Sequence, residues 1–132
     1  MKELYSLKNL LSVALLLSFV VVSGCKWSPE DFKTIEWLKE KSMELVENSK
    51  TATMSNHQNT INDINDKLQA IIDGKKPKIG VKMIEKVKNQ NPWDGFLKLW
   101  SQGTLKTDVA DDLKSQIEKS YNEVLDIGKK DN

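Results

Sequence analysis

The stretch Met54-Ser55-Asn56-His57-Gln58-Asn59-Thr60-Ile61-Asn62-Asp63-Ile64-Asn65-Asp66-Lys67-Leu68-Gln69-Ala70-Ile71-Ile72-Asp73-Gly74 decides the fold class. Its Met54, His57, Ile61, Ile64, Leu68 and Ile71 are spaced 3, 4, 3, 4 and 3 residues apart. That spacing gathers them on one face of an α-helix, whereas strand faces alternate every second residue. Ser55 with Gln58 three residues later has the capping-box pattern for the start of the helix, and Asp73-Gly74 places glycine where helices stop. An apolar seam on an otherwise polar helix predicts partner helices on either side.

Upstream, Ser28-Pro29-Glu30-Asp31 supplies a capping hydroxyl, a first-turn proline and two acids at the positive end of a helix dipole. The helix it starts is expected from about Pro29 to Asn48, with Phe32, Ile35, Leu38, Met43, Leu45 and Val46 on one stripe and Trp37 outside it. The polar run Asn48 to Thr60 reads as a loop or a weak continuation of that helix.

Downstream, residues 74–90 read two ways. Ile79, Val81 and Met83 alternate as in a strand, and Val81, Ile84 and Val87 recur as in a helix. With no second strand candidate to pair with, a short helix after Pro77 is expected. Asn91-Pro92-Trp93-Asp94 repeats the cap, proline and acid logic ahead of Trp93, Phe96, Leu97 and Trp100, and Gly103 ends that segment. Thr107-Asp108 is expected to cap a last helix whose Val109, Leu113, Ile117, Tyr121 and Val124 share a face, ending at Gly128 with Lys129 and Lys130 near its negative end. The predicted fold is all-α, a small bundle or helical hairpin stack of four to five helices after an N-terminal signal helix.

The chain has 132 residues, room for one domain. Its 20 cations are all lysine against 19 acids, and a formal charge of +1 gives no whole-chain attraction to nucleic acid. The single cysteine rules out an internal disulfide and a multi-thiolate metal centre. The apolar residues are concentrated at the start. Lys2 and Lys8 precede a 13-residue run from Leu10 to Val22, followed by Ser23 and Gly24, the three parts of an export signal. That run falls short of the roughly 20 apolar residues of a membrane-spanning helix; counting from Leu4 to Gly24 reaches that length only by admitting Lys8 and four serines.

Val22-Ser23-Gly24-Cys25 resembles the lipobox of bacterial lipoproteins: an aliphatic residue, a small residue, glycine or alanine, then cysteine. The resemblance implies cleavage after Gly24, a thioether-linked diacylglycerol on Cys25 and an amino group open to N-acylation, with no other cofactor. It divides the chain into a signal peptide, 1–24, and a mature lipid-anchored helical domain, 25–132. Lys26 rather than Asp after the cysteine implies the outer membrane of a Gram-negative envelope; a Gram-positive cell would display the protein on the outer leaflet of its plasma membrane. The mature part has 18 lysines and 18 acids, a net charge of zero.

That zero hides a strong local imbalance. Residues 28–49 hold three lysines and six acids, and residues 108–126 hold two and six. Residues 74–90 hold Lys75, Lys76, Lys78, Lys82, Lys86 and Lys88 against Glu85. The block either lies against the acidic helices and is neutralised there, or meets anionic headgroups or a polyanionic glycan. The four tryptophans are the other candidate contacts. Trp27 reads as an indole at the headgroup boundary or as local packing, Trp37 as a core edge or an exposed contact, and Trp93 and Trp100 as core, or as a partner or amphiphile pocket should the bundle leave them uncovered.

Catalysis finds little support. His57 is the only histidine and lies on the seam, which suits an interhelical contact; lipidation would consume the only thiol, and none of the common nucleophile, metal or phosphate-loop motifs is present. The expected function is a non-catalytic binding or adaptor module with an envelope protein partner and the membrane, and without nucleic acid or metal. A second reading is exclusion or immunity for a conjugative element or phage. Thr34-Ile35-Glu36-Trp37-Leu38-Lys39 is similar to the Thr-Val-acid-aromatic run of some exclusion lipoproteins of conjugative elements, although the later cysteines of that family are missing here. A third is an amphiphile-binding or membrane-perturbing protein using the Trp-rich helix and the lysine block.

Overall fold

The computed structural model describes residues 26–127, so the signal segment, Gly24, Cys25, Gly128, Lys129 and Lys130 lie outside the described residues. The fold is all-α. Among the described residues five α-helices follow one another: α1 Pro29–Asn48, α2 Gln58–Gly74, α3 Lys78–Asn89, α4 Trp93–Trp100 and α5 Thr107–Leu125, with a 3₁₀ turn at Met54–His57. None of the described helices is long and apolar enough to cross a membrane.

Helix α1 has the bounds its punctuation predicts. The Ser28 hydroxyl accepts from the Asp31 amide at 3.0 Å and Pro29 opens the first turn. Ile35, Leu38, Leu45 and Val46 are buried, and Phe32 and Met43 pack at the margin of the core. The main partner of α1 is α5, and the two run antiparallel. Lys39 reaches Asn122 at 2.7 Å, Lys114 reaches Glu47 at 3.3 Å and Lys50 reaches Asp111 at 2.8 Å, residue numbers falling along α5 as they rise along α1. Helix α2 packs on α1 and α3, and α3 in turn touches α4 and α5.

Several expected boundaries move. The Met54–Ile71 seam is split: Met54 and His57 belong to the 3₁₀ turn, and α2 begins at Gln58. The capping box is not made, because Ser55 pairs with Thr53 at 3.2 Å while Gln58 donates forward to Asn62 at 2.9 Å. Helix α2 retains Gly74 as its last residue and ends on Lys75, which takes the left-handed conformation (φ 65°) usually left to glycine. The ambiguous block is helical over Lys78–Asn89, as expected. Pro92 stands at the N-cap of α4 instead of in its first turn. Helix α5 starts one residue before Asp108, with no side-chain cap, and ends at Leu125. Its buried face includes Ala110 where Val109 was expected; Val109 is exposed.

Three indoles tie distant segments together. Trp27 Nε1 donates to the Val124 carbonyl at 2.9 Å, Trp93 Nε1 to Asn65 Oδ1 at 2.7 Å and Trp100 Nε1 to the Ala52 carbonyl at 2.8 Å. Each buries a large apolar ring and leaves no indole donor unsatisfied. The loop after α4 turns at Gly103, whose φ of +132° only glycine tolerates, and the Leu105 amide donates to Ser49 at 2.8 Å.

Candidate functional site

The residues singled out in the sequence separate into a buried set and an exposed set. Trp27 belongs to the first and corrects the headgroup-boundary reading. Its side chain is 7% exposed, inserted between the start of α3 and the end of α5. The space it occupies exists because residue 80 is glycine. A Cβ there would lie 2.8 Å from Trp27 Cη2 and 3.0 Å from Cε2, and closer still to Cζ2. An isolated glycine inside a helix usually marks a close packing approach, although Gly80 by itself does not say which side chain fills the space.

Trp93 and Trp100 are core residues, each 1% exposed. Their rings and that of Phe96 lie against one another, Trp93 to Phe96 at 5.7 Å and Phe96 to Trp100 at 5.2 Å between centroids, the second pair stacked. His57 tilts over Trp100 at 5.7 Å, extending the cluster to the 3₁₀ turn. These side chains therefore hold α4 to the α2 side of the bundle and offer no outward face. Trp37 is half-buried at the core edge, with the Lys67 ammonium 5.0 Å from its ring centroid, a cation–π contact between α1 and α2.

The exposed set is the lysine block. Lys75, Lys76, Lys78, Lys82 and Lys86 are all solvent-exposed, and Lys88 is half-buried. The expectation that the acidic helices neutralise this block is corrected. Among the described residues Glu44, Glu47 and Asp111 of α1 and α5 pair with Lys41, Lys50 and Lys114, and none of the six lysines of residues 74–90 takes part in an ion pair. The Lys50 ammonium bridges Asp111 and Glu47, which raises the Lys50 pKa, Asp111 being the stronger influence. Hydrogen bonds from Lys50 and then Lys114 hold the Glu47 carboxyl below its ordinary value. The α1–α5 pair is thus internally balanced along this seam, and α3 carries its positive charge into solvent.

Within α3 the exposed charges are not scattered. Gly80, Val81, Ile84 and Val87 face the core, which turns Lys78, Lys82 and Lys86 outward together with Ile79. Ile79, 67% exposed, is the most exposed large apolar side chain among the described residues. Its neighbours one helical turn on are Lys82 and half-buried Met83. The face has the composition of a cationic surface carrying a single apolar projection, a combination sequence periodicity alone left undecided. No protein-family model, curated protein or solved structure matches the chain.

Proposed function

We propose that the protein is an exported, lipid-anchored lipoprotein of the cell envelope whose helical domain is a non-catalytic binding module at the membrane surface. The observation that carries this reading is the apolar run Leu10 to Val22 closing on Val22-Ser23-Gly24-Cys25, two residues ahead of Trp27, the first core side chain of the described domain. Signal, box and domain start follow one another without a spacer. Acyl chains at about 0.8 kcal/mol per buried CH₂ make a durable anchor once two or more are attached, so a domain that itself spans nothing is retained at the surface. The binding role is supported by how the fold distributes its side chains. Tryptophans 27, 93 and 100 are spent on cohesion, and what the domain presents outward is charge.

The partners of this reading are the membrane, through Cys25, and an envelope protein, with neither nucleic acid nor a metal required. Metabolic labelling with palmitate tests it. Wild-type protein incorporates label and migrates as the processed form, whereas Cys25→Ala stays unlabelled at precursor size. Equal labelling of both, or of neither, contradicts the anchor. Crosslinking in intact cells is expected to give a protein adduct of discrete size, and crosslinks to lipid alone contradict the binding role.

A further inference from the structure

We propose that the outward face of α3, with Lys75, Lys76, Lys78, Lys82, Lys86 and Ile79, rests on the anionic headgroups of the membrane that holds the protein. This rests on the anchored reading above and adds an orientation to it. Three observations converge on that face. Its five lysines are exposed and make no ion pair among the described residues. Ile79 projects beside them on the same side of the helix at 67% exposure, as an apolar side chain does where a cationic helix meets the boundary between headgroups and acyl chains. The third is the position of the tether. Trp27 is locked against Gly80, one residue from Ile79 and two from Lys78, by its fit to the glycine and by its bond to Val124. Cys25 is two residues before Trp27, and two residues of extended chain reach only about 7 Å. An acylated Cys25 therefore brings the start of α3 to the bilayer without a flexible spacer that would let the domain tumble freely.

The rest of the charge distribution favours the same orientation. Helices α1 and α5 carry the acidic excess of the domain, with six acids against three lysines over residues 28–49 and six against two over residues 108–126. An anionic surface repels these and attracts α3, so the domain tilts onto its lysine face. Each lysine close to such a surface favours the bound orientation about fivefold, and the attraction falls as salt shortens the screening length.

Lysine acetylation footprinting of the full, lipidated protein tests the proposal. The protein is reconstituted in phosphatidylcholine vesicles with and without phosphatidylglycerol and read by mass spectrometry, which also reports the state of Cys25. Expected is protection of Lys75, Lys78, Lys82 and Lys86 by about fivefold or more on the anionic vesicles, lost in high salt, with exposed Lys98 and Lys119 unchanged. In Lys82→Gln/Lys86→Gln, protection of Lys75 and Lys78 should fall at least severalfold while the helix content stays that of the wild type. Equal reactivity of the α3 lysines on both vesicles, with Cys25 acylated, overturns the orientation and leaves the anchor standing. Protection by a soluble polyanionic glycan but not by anionic vesicles assigns the face to glycan and overturns it as well. An unmodified Cys25 overturns the anchored reading and this inference with it.

Discussion

Substituting Gly80 by alanine tests the contact that fixes the start of the domain. In a helix of ordinary surroundings this change stabilises by about 1 kcal/mol, because alanine restricts the unfolded chain and fits the helix at no cost. Here the new methyl group would lie 2.8 Å and 3.0 Å from two carbons of the Trp27 indole and closer to a third. The ring cannot swing aside freely, since it is 7% exposed and its Nε1 is held by Val124. Overpacking of this kind costs about 2–3 kcal/mol, and stretching the indole hydrogen bond adds about 1 kcal/mol. After the propensity gain, Gly80→Ala should destabilise by about 2–3 kcal/mol, on the order of 10–15 °C in melting temperature for a domain of this size. The decisive comparison is a double-mutant cycle by urea denaturation, followed by helix circular dichroism. In a Trp27→Ala background the clash is gone, and Gly80→Ala should become stabilising by up to about 1 kcal/mol. A Gly80→Ala protein as stable as the wild type, or the same effect in both backgrounds, refutes the Trp27–Gly80 contact.

Other perturbations address the rest of the core and its ionic seam. Trp100→Ala removes a buried ring stacked on Phe96 and bonded to Ala52, and should cost about 3–5 kcal/mol by denaturant titration. Among the described residues the Ser42 hydroxyl and the Tyr121 phenol are both buried without a partner in hydrogen-bonding geometry, and burial raises the Tyr121 pKa, which the nearby Ser42 hydroxyl offsets in part. Ser42→Ala with Tyr121→Phe should therefore leave stability unchanged or raise it by about 1 kcal/mol, where a loss of that size would reveal a bond between them. For Glu47 the folded pKa lies below the ordinary value of 4.5, so the folded state binds fewer protons there than the unfolded state, and its contribution is present above 4.5 and lost as pH falls through the lowered value. The stability difference between wild type and Glu47→Gln should be small at neutral pH, because the group is exposed, and should vanish in acid; a difference that grows on acidification contradicts the assigned partners.

The helices were legible in the sequence where a side chain and the backbone agreed. The Ser28 cap, Pro29 and two acids place α1, and the Ile61–Ile71 seam places α2, because those signals are local and the packing reinforces them. They were misplaced where another local hydrogen bond competed with the expected cap. Ser55 prefers Thr53 to a capping box, and Asp108 bonds the adjacent Val109 amide instead of capping α5. On α5 Ala110 is buried and Val109 exposed, while Leu113, Ile117, Tyr121 and Val124 keep the expected face. Trp27 had no periodicity to place it, being a single residue ahead of a helix, and its receptor, Gly80, is distant in the chain. The lysine block was plain as composition. Its orientation was not, since only the structure places Val81, Ile84 and Val87 in the core and so turns Ile79, Lys82 and Lys86 outward together. The hydrogen-bond acceptors of the indoles, Asn65, Ala52 and Val124, carry no sequence signal at all.

In the reading proposed above, the anchor gives the packing of Trp27 and the charge of α3 their functional meaning, and the state of Cys25 tests it most directly. Mass spectrometry of the protein extracted from the membrane fraction should find the chain beginning at Cys25, with a diacylglycerol on its sulfur. A chain that still begins at Met1 with an unmodified Cys25 thiol would contradict the account.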